Sequence, residues 1–215
     1  MNDVSLIIPV YIVDNELKKM TDKCIESAYK TAPGVEIIVV DDGSPIGYKS
    51  KYGKTIRLKT NMGYSFTVNR GLEASGGDVL VIGNNDLLFK ENWLDKLLTV
   101  LDEGFDVATC WVGDQKDSPE FKIDKAIKEG GLIGSIFAMT NDVYEDIGGF
   151  DTRFRGYFSD RDFQERAEQQ GYRVGMNHGL VIDHVSKATY KLVDPDDDEY
   201  EEAKRLFEIK HGYLP

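Results

Sequence analysis

Cysteine is scarce in this 215-residue sequence, which contains only Cys24 and Cys110. The two are far apart and neither sits in a motif with metal-site spacing, so we expect two buried thiols in a reducing compartment. No apolar run approaches the ~20 residues that a membrane-spanning helix needs. A strand-like run follows Met1 at once and no secretory signal is recognisable, so we expect a cytoplasmic protein.

Positive charge is also in short supply. The sequence has 26 lysines and arginines against 38 aspartates and glutamates, which gives a net charge of −12. Binding to a nucleic-acid backbone needs clustered basic residues, so we do not expect that class of partner. A small phosphorylated ligand held through a divalent cation remains compatible with this charge. Much of the acidic excess lies at 194–202, which we interpret as a solvated face and a helix start.

Two glycine-rich nucleotide-binding motifs are absent. No G-x-G-x-x-G follows the first apolar run and no G-x-x-x-x-G-K-[ST] occurs anywhere, so dinucleotide-binding and P-loop interpretations lose their main support. A nucleotide bound by this chain would therefore be held through side chains and a cation.

The sequence does contain a regular alternation of strand and helix patterns. Buried strands are predicted at Val4–Val10, Val35–Val40 and Asp78–Ile82, and helices at Asn15–Thr31 and Tyr64–Ala74. Weaker patterns predict a strand at Ile56–Leu58, a helix at Trp93–Leu101, a strand at Asp106–Trp111 and a C-terminal helix at Asp198–Lys210. We expect the apolar side of that last helix, formed by Tyr200, Ala203, Leu206 and Phe207, to pack on the sheet. This alternation of strands and helices predicts a single α/β domain with a mainly parallel central sheet flanked by helices.

Polar residues follow three of the predicted strands, in the segments Pro9–Tyr11, Asp41–Ser44 and Asn84–Asp86. The carboxyl ends of parallel strands meet at one edge of a sheet, where α/β proteins bind ligands, so these segments are expected to share one crevice. Asp86 beside two amides is a hard oxygen ligand suited to Mg²⁺ or Mn²⁺. From these residues alone, a simple turn or helix cap is the commoner use of such a segment.

Taken in order, these motifs resemble the family 2 glycosyltransferases with the GT-A (Rossmann-like) fold. The segments that carry the resemblance are Val4–Tyr11, Val39–Ser44, Asn61–Gly63, Asn69–Gly71, Gly77–Asp78, Asn84–Asp86, Gly148–Phe154, Tyr157–Phe163 and His184. Asn84–Asp86 occupies the place of the family's D-x-D motif, in a form that resembles the rhamnosyltransferase-like branch. The resemblance covers nearly the whole chain.

The resemblance implies a nucleoside-diphosphate sugar as donor, with uridine as the expected base. It implies donor contacts from Pro9, Val10, Tyr11, Asp42, Asn69 and Asn85. In that set Tyr11 stacks on the base, Asp42 accepts a hydrogen bond from the base or ribose, and Asn85 contacts the ribose. By its chemistry alone, Tyr11 is equally well explained as a core aromatic at a strand end.

The metal and the catalytic base are also implied by the resemblance. Asp86 and His184 are expected to bind Mn²⁺ or Mg²⁺ at the diphosphate, because carboxylate oxygen and neutral imidazole are suitable ligands. Asp160 is expected to be the base that deprotonates an acceptor hydroxyl during an inverting transfer. The family has a glutamate before this aspartate, whereas this chain has Ser159. For Asp162 we predict helix capping and charge–dipole stabilisation.

The single domain is expected to consist of a nucleotide-sugar half (1–110), an acceptor and catalytic half (111–190) and a C-terminal helix (191–215). We expect a glycan or another hydroxyl compound as acceptor, near the polar loop 113–119 and the glycine-rich segment Gly130–Ser135. A nucleotidyltransferase is the nearest alternative, but residues 9–16 contain no Gly, Arg or Lys to hold a triphosphate. A non-catalytic nucleotide-sugar or glycan-binding protein of the same fold is the second alternative.

Overall fold

The computed structural model describes residues 3–113, 127–184 and 197–214. The predicted acceptor loop at 114–119 and the acidic residues at 194–196 lie outside this part of the chain. The elements are, in chain order, β1 (Val4–Val10), α1 (Asn15–Thr31), β2 (Glu36–Asp41), β3 (Lys54–Arg57), α2 (Tyr64–Leu72), β4 (Val79–Gly83), β5 (Leu87–Leu88), α3 (Trp93–Asp102), β6 (Val107–Val112), β7 (Ile127–Glu129), β8 (Ile136–Thr140), α4 (Asn141–Ile147), α5 (Ser159–Gln169), β9 (Val174–His184) and α6 (Asp197–His211).

One mixed sheet runs through the molecule, with the strand order β3-β2-β1-β4-β8-β6-β9-β5 and β7 paired to β9. The four strands from β3 to β4 are mutually parallel, and β9 is parallel to β6. Strand β8 is antiparallel to both β4 and β6, so β6 and β9 run in the same direction as β1. The predicted α/β fold with a mainly parallel sheet is confirmed, with β5, β7 and β8 as the reversed strands.

Helices cover both faces of the sheet because its central strands are apolar on both sides. In β1, Leu6 and Ile8 belong to one buried cluster and Ile7 belongs to the other. The first cluster includes residues of α1 and α3, and the second includes residues of α2, α4 and α5. Within the described ranges, no helix has the length and hydropathy of a membrane span.

Helix α1 has the predicted bounds because its start is capped by a side chain. The Asp14 carboxylate accepts a hydrogen bond from the Leu17 amide at 2.8 Å, which satisfies one of the free N–H groups of the first turn. Cys24 on this helix and Cys110 on β6 are both buried and free, as predicted. Burial raises the pKa of the Cys24 thiol to about 12, so it stays protonated near neutral pH.

The C-terminal helix α6 does not pack where the sequence pattern predicted. Its apolar side was expected to lie on the sheet, with Tyr200 buried. Instead Ala203 and Phe207 pack against Phe154, with Phe158 partly buried beside them. Tyr200 keeps 41% of its surface exposed. The prediction was wrong because helical periodicity identifies an apolar face but not the partner of that face.

Gly71 allows α2 to lie directly on the sheet, since a Cβ at this position would be only 2.3 Å from Cγ2 of Ile7. We expect Gly71→Ala to lower the free energy of unfolding by ~1–3 kcal/mol through overpacking, although alanine is the better helix former. Urea denaturation measures this change. Gly76→Ala is the control, because the nearest atom to a Cβ there is 3.9 Å away. Equal stability of the two variants would contradict this packing.

Candidate functional site

The predicted polar segments meet at one edge of the sheet. Strand β1 ends at Val10, which pairs with Asp41 at the end of β2. Strand β4 runs parallel beside β1 and ends at Gly83, just before Asn84–Asp86. Strand β9 ends at the same edge, where His184 pairs with Leu87 of β5. This edge is the place at which α/β sheets bind ligands.

Asp86 and His184 are in direct contact at this edge. The distance from His184 Nε2 to Asp86 Oδ2 is 2.9 Å, although 98 positions separate the two residues in the sequence. Asp86 is buried, and its second oxygen, Oδ1, has no hydrogen-bond partner within the described ranges. A buried carboxylate oxygen without a partner is costly unless a ligand or an ion satisfies it.

The donor atoms of this pair fit a divalent cation. A carboxylate oxygen and an imidazole nitrogen suit Mn²⁺, and Asp86 Oδ1, which has no hydrogen-bond partner in the described structure, could bind such an ion. Within the described ranges, no group of three or more His, Cys, Asp or Glu residues could hold a metal ion. The described chain therefore offers two ligands, and the remaining coordination positions would be filled by a bound ligand or water.

Helix α1 holds the segment that leads to Asp86. The Asn85 amide donates to Thr21 Oγ1 at 2.9 Å, and the Cys24 thiol donates to the Asn84 carbonyl at 3.4 Å. Asn85 is buried, with its amide nitrogen directed at the helix. Its predicted ribose contact stays a prediction. Nothing in the sequence pattern singled out Thr21, because its partner lies 64 positions away.

The adjacent carboxylates of Asp41 and Asp42 have different partners. Asp41 is fully buried, accepts hydrogen bonds from the amides of Ser44 at 2.9 Å and Tyr48 at 3.2 Å, and pairs with Arg57. These contacts compensate the buried charge and fix the turn after β2. Asp41 is therefore a structural residue.

Asp42 connects β2 to the start of α2. Its two carboxylate oxygens accept hydrogen bonds from the amides of Met62 at 2.7 Å and Gly63 at 3.0 Å. Burial raises the pKa of Asp42, and the two amides oppose that rise because they stabilise the charged form. The predicted contact with a base or ribose stays a prediction, and it would have to be shared with these hydrogen bonds.

The hydrogen bonds of Asn69 argue against its predicted contact with the sugar donor. Its amide nitrogen donates to the Phe150 carbonyl at 2.8 Å, and its amide oxygen accepts from the Phe150 N–H at 2.8 Å. A Cβ at Gly149 would lie 2.4 Å from that oxygen, so the neighbouring glycine makes room for the bridge. Both polar atoms of the Asn69 side chain are thus used to join α2 to the loop after α4, and we leave Asn69 out of the site.

The first predicted segment lies at the end of β1. Pro9 and Val10 are buried in the strand, and Tyr11, the next residue, is half-buried. Beyond it the Ile12 amide donates to Ser44 Oγ at 2.7 Å, which joins this segment to the turn after β2. Tyr11 is therefore the member of this segment with the most accessible side chain. Its stacking on a base stays a prediction.

Asp160 lies in the first turn of α5 and faces the glycine-rich segment before β8. A Cβ at Gly134 would be 2.4 Å from Asp160 Oδ2, so only glycine allows the carboxylate this close to the backbone. The backbone carbonyl of the next residue, Ser135, accepts a hydrogen bond from the backbone N–H of Asn84 at 2.9 Å. Gly134 and Ser135 thus connect Asp160 to the segment that ends in Asp86. The sequence pattern marked this segment as glycine-rich but did not identify Gly134.

The residues just before Asp160 adopt an unusual backbone. Phe158 has φ 61° and ψ 3°, in the left-handed region that residues other than glycine rarely occupy. Ser159, where the family has a glutamate, is buried, and its hydroxyl donates to the Gly156 carbonyl at 3.0 Å. A strained residue of this kind persists only where its surroundings fix it, often beside functional residues.

Comparisons with known proteins show that the chain is similar to glycosyltransferases. The family model described as "Glycosyl transferase family 2" matches residues 5–161. The dolichol-phosphate mannosyltransferase of Pyrococcus furiosus is 30% identical over 161 residues, which cover 68% of this chain and 45% of that protein. The undecaprenyl-phosphate 4-deoxy-4-formamido-L-arabinose transferase of Proteus mirabilis is 26% identical over 128 residues, covering 55% and 39%. The matched segments span less than half the length of these two relatives.

A solved structure shares the fold. The mannosyltransferase PcManGT from Pyrobaculum calidifontis, in complex with GDP-Man and Mn²⁺, superposes with a TM-score of 0.72 and 18% identity. The match covers 100% of this chain and 66% of that one. At this identity the likeness concerns the fold alone.

The contacts of Asp41 predict a large loss of stability when the carboxylate is removed. Asp41→Ala removes the acceptor of two buried amides and one partner of Arg57, which keeps its hydrogen bond to the Ser44 carbonyl. We expect the variant to lower the free energy of unfolding by ~3 kcal/mol. Glu16→Ala is the control, because Glu16 pairs with Lys19 at 2.8 Å on the surface of α1. That variant should change stability by less than ~1 kcal/mol. Similar urea midpoints for both variants would contradict the structural role of Asp41.

Proposed function

Because this chain belongs to glycosyl transferase family 2, we propose that it transfers a sugar from a nucleoside-diphosphate donor to an acceptor hydroxyl. The transfer is direct and inverts the anomeric carbon. The observation that carries the proposal is the pair Asp86–His184, in which a buried carboxylate keeps one oxygen without a partner in the described structure. The position of Asp160 against Gly134 supports the second half of the proposal.

Asp86 and His184 form the diphosphate end of the site and would hold Mn²⁺ or Mg²⁺. When bound, such a cation would neutralise the negative charge that develops on the departing diphosphate. The P. calidifontis mannosyltransferase has the same fold, and its structure contains a nucleotide sugar and Mn²⁺, which is consistent with a divalent cation here. The pair supplies one carboxylate and one imidazole, so the diphosphate would complete the coordination of the cation.

Asp160 is the general base. Inversion requires attack from the side opposite the leaving diphosphate, and a carboxylate there can take the proton of the attacking hydroxyl. Asp160 Oδ1 accepts a hydrogen bond from the Arg161 amide at 2.9 Å, which fixes the orientation of the carboxylate. Its Oδ2 faces the Gly134 backbone, beside the segment joined to Asn84. This arrangement supports a base that acts next to the donor sugar.

The donor is held by residues of the first half of the chain, 1–110. Tyr11 stacks on the base above Pro9 and Val10, while Asp42 and Asn85 contact the nucleoside. A uridine diphosphate sugar is the proposed donor, and the Asn84–Asp86 form of the motif supports a place in the rhamnosyltransferase-like branch. The two free, buried thiols are compatible with a cytoplasmic location.

Polyprenyl phosphates are a second possible class of acceptor, because the two relatives are a dolichol-phosphate mannosyltransferase and an undecaprenyl-phosphate sugar transferase. If this chain used a polyprenyl phosphate, the attacking atom would be a phosphate oxygen. That oxygen is already anionic near neutral pH and needs no general base. The carboxylate of Asp160 would then repel the acceptor, so its position favours a neutral hydroxyl acceptor.

Removal of the Asp86 carboxylate tests the diphosphate end. We expect Asp86→Ala to lose the Mn²⁺-dependent thermal stabilisation that UDP, dTDP or GDP gives to the unmodified protein, because a ligand that binds the native state raises its unfolding temperature. Asp95→Ala, at an exposed position of α3, should keep it. Undiminished stabilisation of Asp86→Ala would remove this residue from the site.

Replacement of the base separates chemistry from binding. We expect Asp160→Asn to keep the donor-induced thermal shift and to slow turnover by ~10²-fold or more, the usual scale for a general base. Turnover is measured as nucleoside diphosphate released from the UDP-, dTDP- or GDP-linked sugar that gives the largest shift. The exposed variant Asp142→Asn should be unaffected. Normal turnover of Asp160→Asn on a polyprenyl phosphate acceptor would instead support the second acceptor class.

A further inference from the structure

The carboxylate of Asp162 is the hub of an ionic cluster between α5 and the end of α6. Asp162 is fully buried. Its Oδ1 is 2.5 Å from Lys210 Nζ and 2.9 Å from His211 Nε2, and its Oδ2 is 3.0 Å from Arg166 Nε. We call the contacts of Asp162 with Lys210 and His211 the C-terminal clamp. Asp162 lies in the first turn of α5, as its predicted charge–dipole role requires, but no side chain among the described residues caps this helix, so the predicted capping role is wrong.

Charge compensation makes the clamp strong. A buried carboxylate is costly unless cations and hydrogen bonds compensate it, and two of its three partners come from α6. Lys210 Nζ also lies 2.8 Å from Asp151 Oδ2. Arg153, together with Lys210, holds the pKa of Asp151 well below its usual range, so Lys210 bridges two carboxylates. The basic last turn of α6 also suits the negative end of that helix.

Asp162 shares the first turn of α5 with Asp160. The two residues are two positions apart, and successive helix residues are rotated by about 100°, so their side chains project in roughly opposite directions. Asp160 faces Gly134 and the candidate site, whereas Asp162 faces α6. Because a helical turn is rigid, a contact that holds one side of the turn also sets the orientation of the other side.

Helix α6 also supports the strained residue that precedes this turn. The ring of Phe158 lies 5.5 Å from the ring of Phe207 and 5.5 Å from the ring of Tyr200, measured between centroids. Phe154, four residues earlier, packs on Phe207 as well. The loop that leads to Asp160 is thus covered by α6 on its outer side. The match to the family model ends at residue 161, so α6 lies beyond the matched segment.

We propose that the C-terminal clamp positions the catalytic base: Lys210 and His211 hold Asp162 and thereby fix the turn that presents Asp160. This inference rests on the proposed function, because it assumes that Asp160 is the base. Lys210 and His211 are positioning residues, since they act through Asp162 and have no contact with Asp160 among the described interactions. In this proposal α6 contributes to catalysis by holding Asp160 in position.

Lys210→Met tests the clamp by removing the charge and keeping most of the side-chain volume. Displacement of a catalytic group by about 1 Å can cost up to ~10²-fold, so we expect turnover to fall by at least ~10-fold. Donor binding, measured as the thermal shift with UDP, dTDP or GDP and Mn²⁺, should stay unchanged. Lys210→Arg should restore turnover, because arginine keeps the charge. Lys204→Met is the control, since it removes a lysine whose pair with Glu201 lies on the outside of the same helix.

A double-mutant cycle separates positioning from general destabilisation. If Lys210 acts through Asp160, Lys210→Met has no further effect on turnover in the Asp160→Asn background. An equal fold reduction in both backgrounds overturns the proposal, and so does normal turnover of Lys210→Met measured well below its unfolding temperature. If Lys210→Met does not fold, His211→Gln is used in the same cycle. Normal turnover of Asp160→Asn alone with a hydroxyl acceptor would instead overturn the proposed role of Asp160 as the base.

Discussion

The contact between Asp86 and His184 depends on the pairing of strands that lie far apart in the sequence. Asp86 follows β4 near the middle of the sheet, whereas His184 ends β9, and the short strand β5 joins them by pairing Leu87 with His184. Strand β9 reaches this point through an irregular register with β6, in which Cys110 pairs with Asn177 but Trp111 pairs with Val181. The carboxylate and the imidazole are therefore brought together by the whole sheet, which makes the pair a consequence of the fold and not of a local turn.

The parts of the fold that could be predicted are those with a strong local pattern. Helix α1 has its predicted bounds because its apolar spacing stops before Pro33 and Gly34, and the structure adds a side-chain cap from Asp14 at its start. Strand β8 was not predicted, and its reversed direction between β4 and β6 could not be, because direction depends on pairing and not on composition. The partner of α6 was mispredicted for the same reason.

Within the site, too, local motifs could be predicted from the sequence, but contacts between distant residues could not. The order of the motifs singled out Asp86, Asp160 and His184, and the structure brings Asp86 and His184 into contact. Motif order assigned a donor contact to Asp42 and none to Asp41. It could not show that Asp41 pairs with Arg57, or that the backbone amides of residues 62 and 63 already donate to Asp42. Nor did it reveal that the Asn69 side chain is used by the Phe150 backbone, 81 positions away. The order of the motifs identifies polar side chains, whereas partners distant in the sequence decide which of those side chains remain available to bind a ligand.

We propose that Asp86 and His184 form an incomplete cation site, which a nucleoside diphosphate would complete. Titration of the protein with Mn²⁺, followed by electron paramagnetic resonance in the absence and presence of UDP, dTDP or GDP, measures this directly. We expect weak Mn²⁺ binding alone and much tighter binding with one of the nucleotides, because the described part of the chain supplies one carboxylate and one imidazole. Tight Mn²⁺ binding without nucleotide, or an affinity that no nucleotide changes, would contradict it.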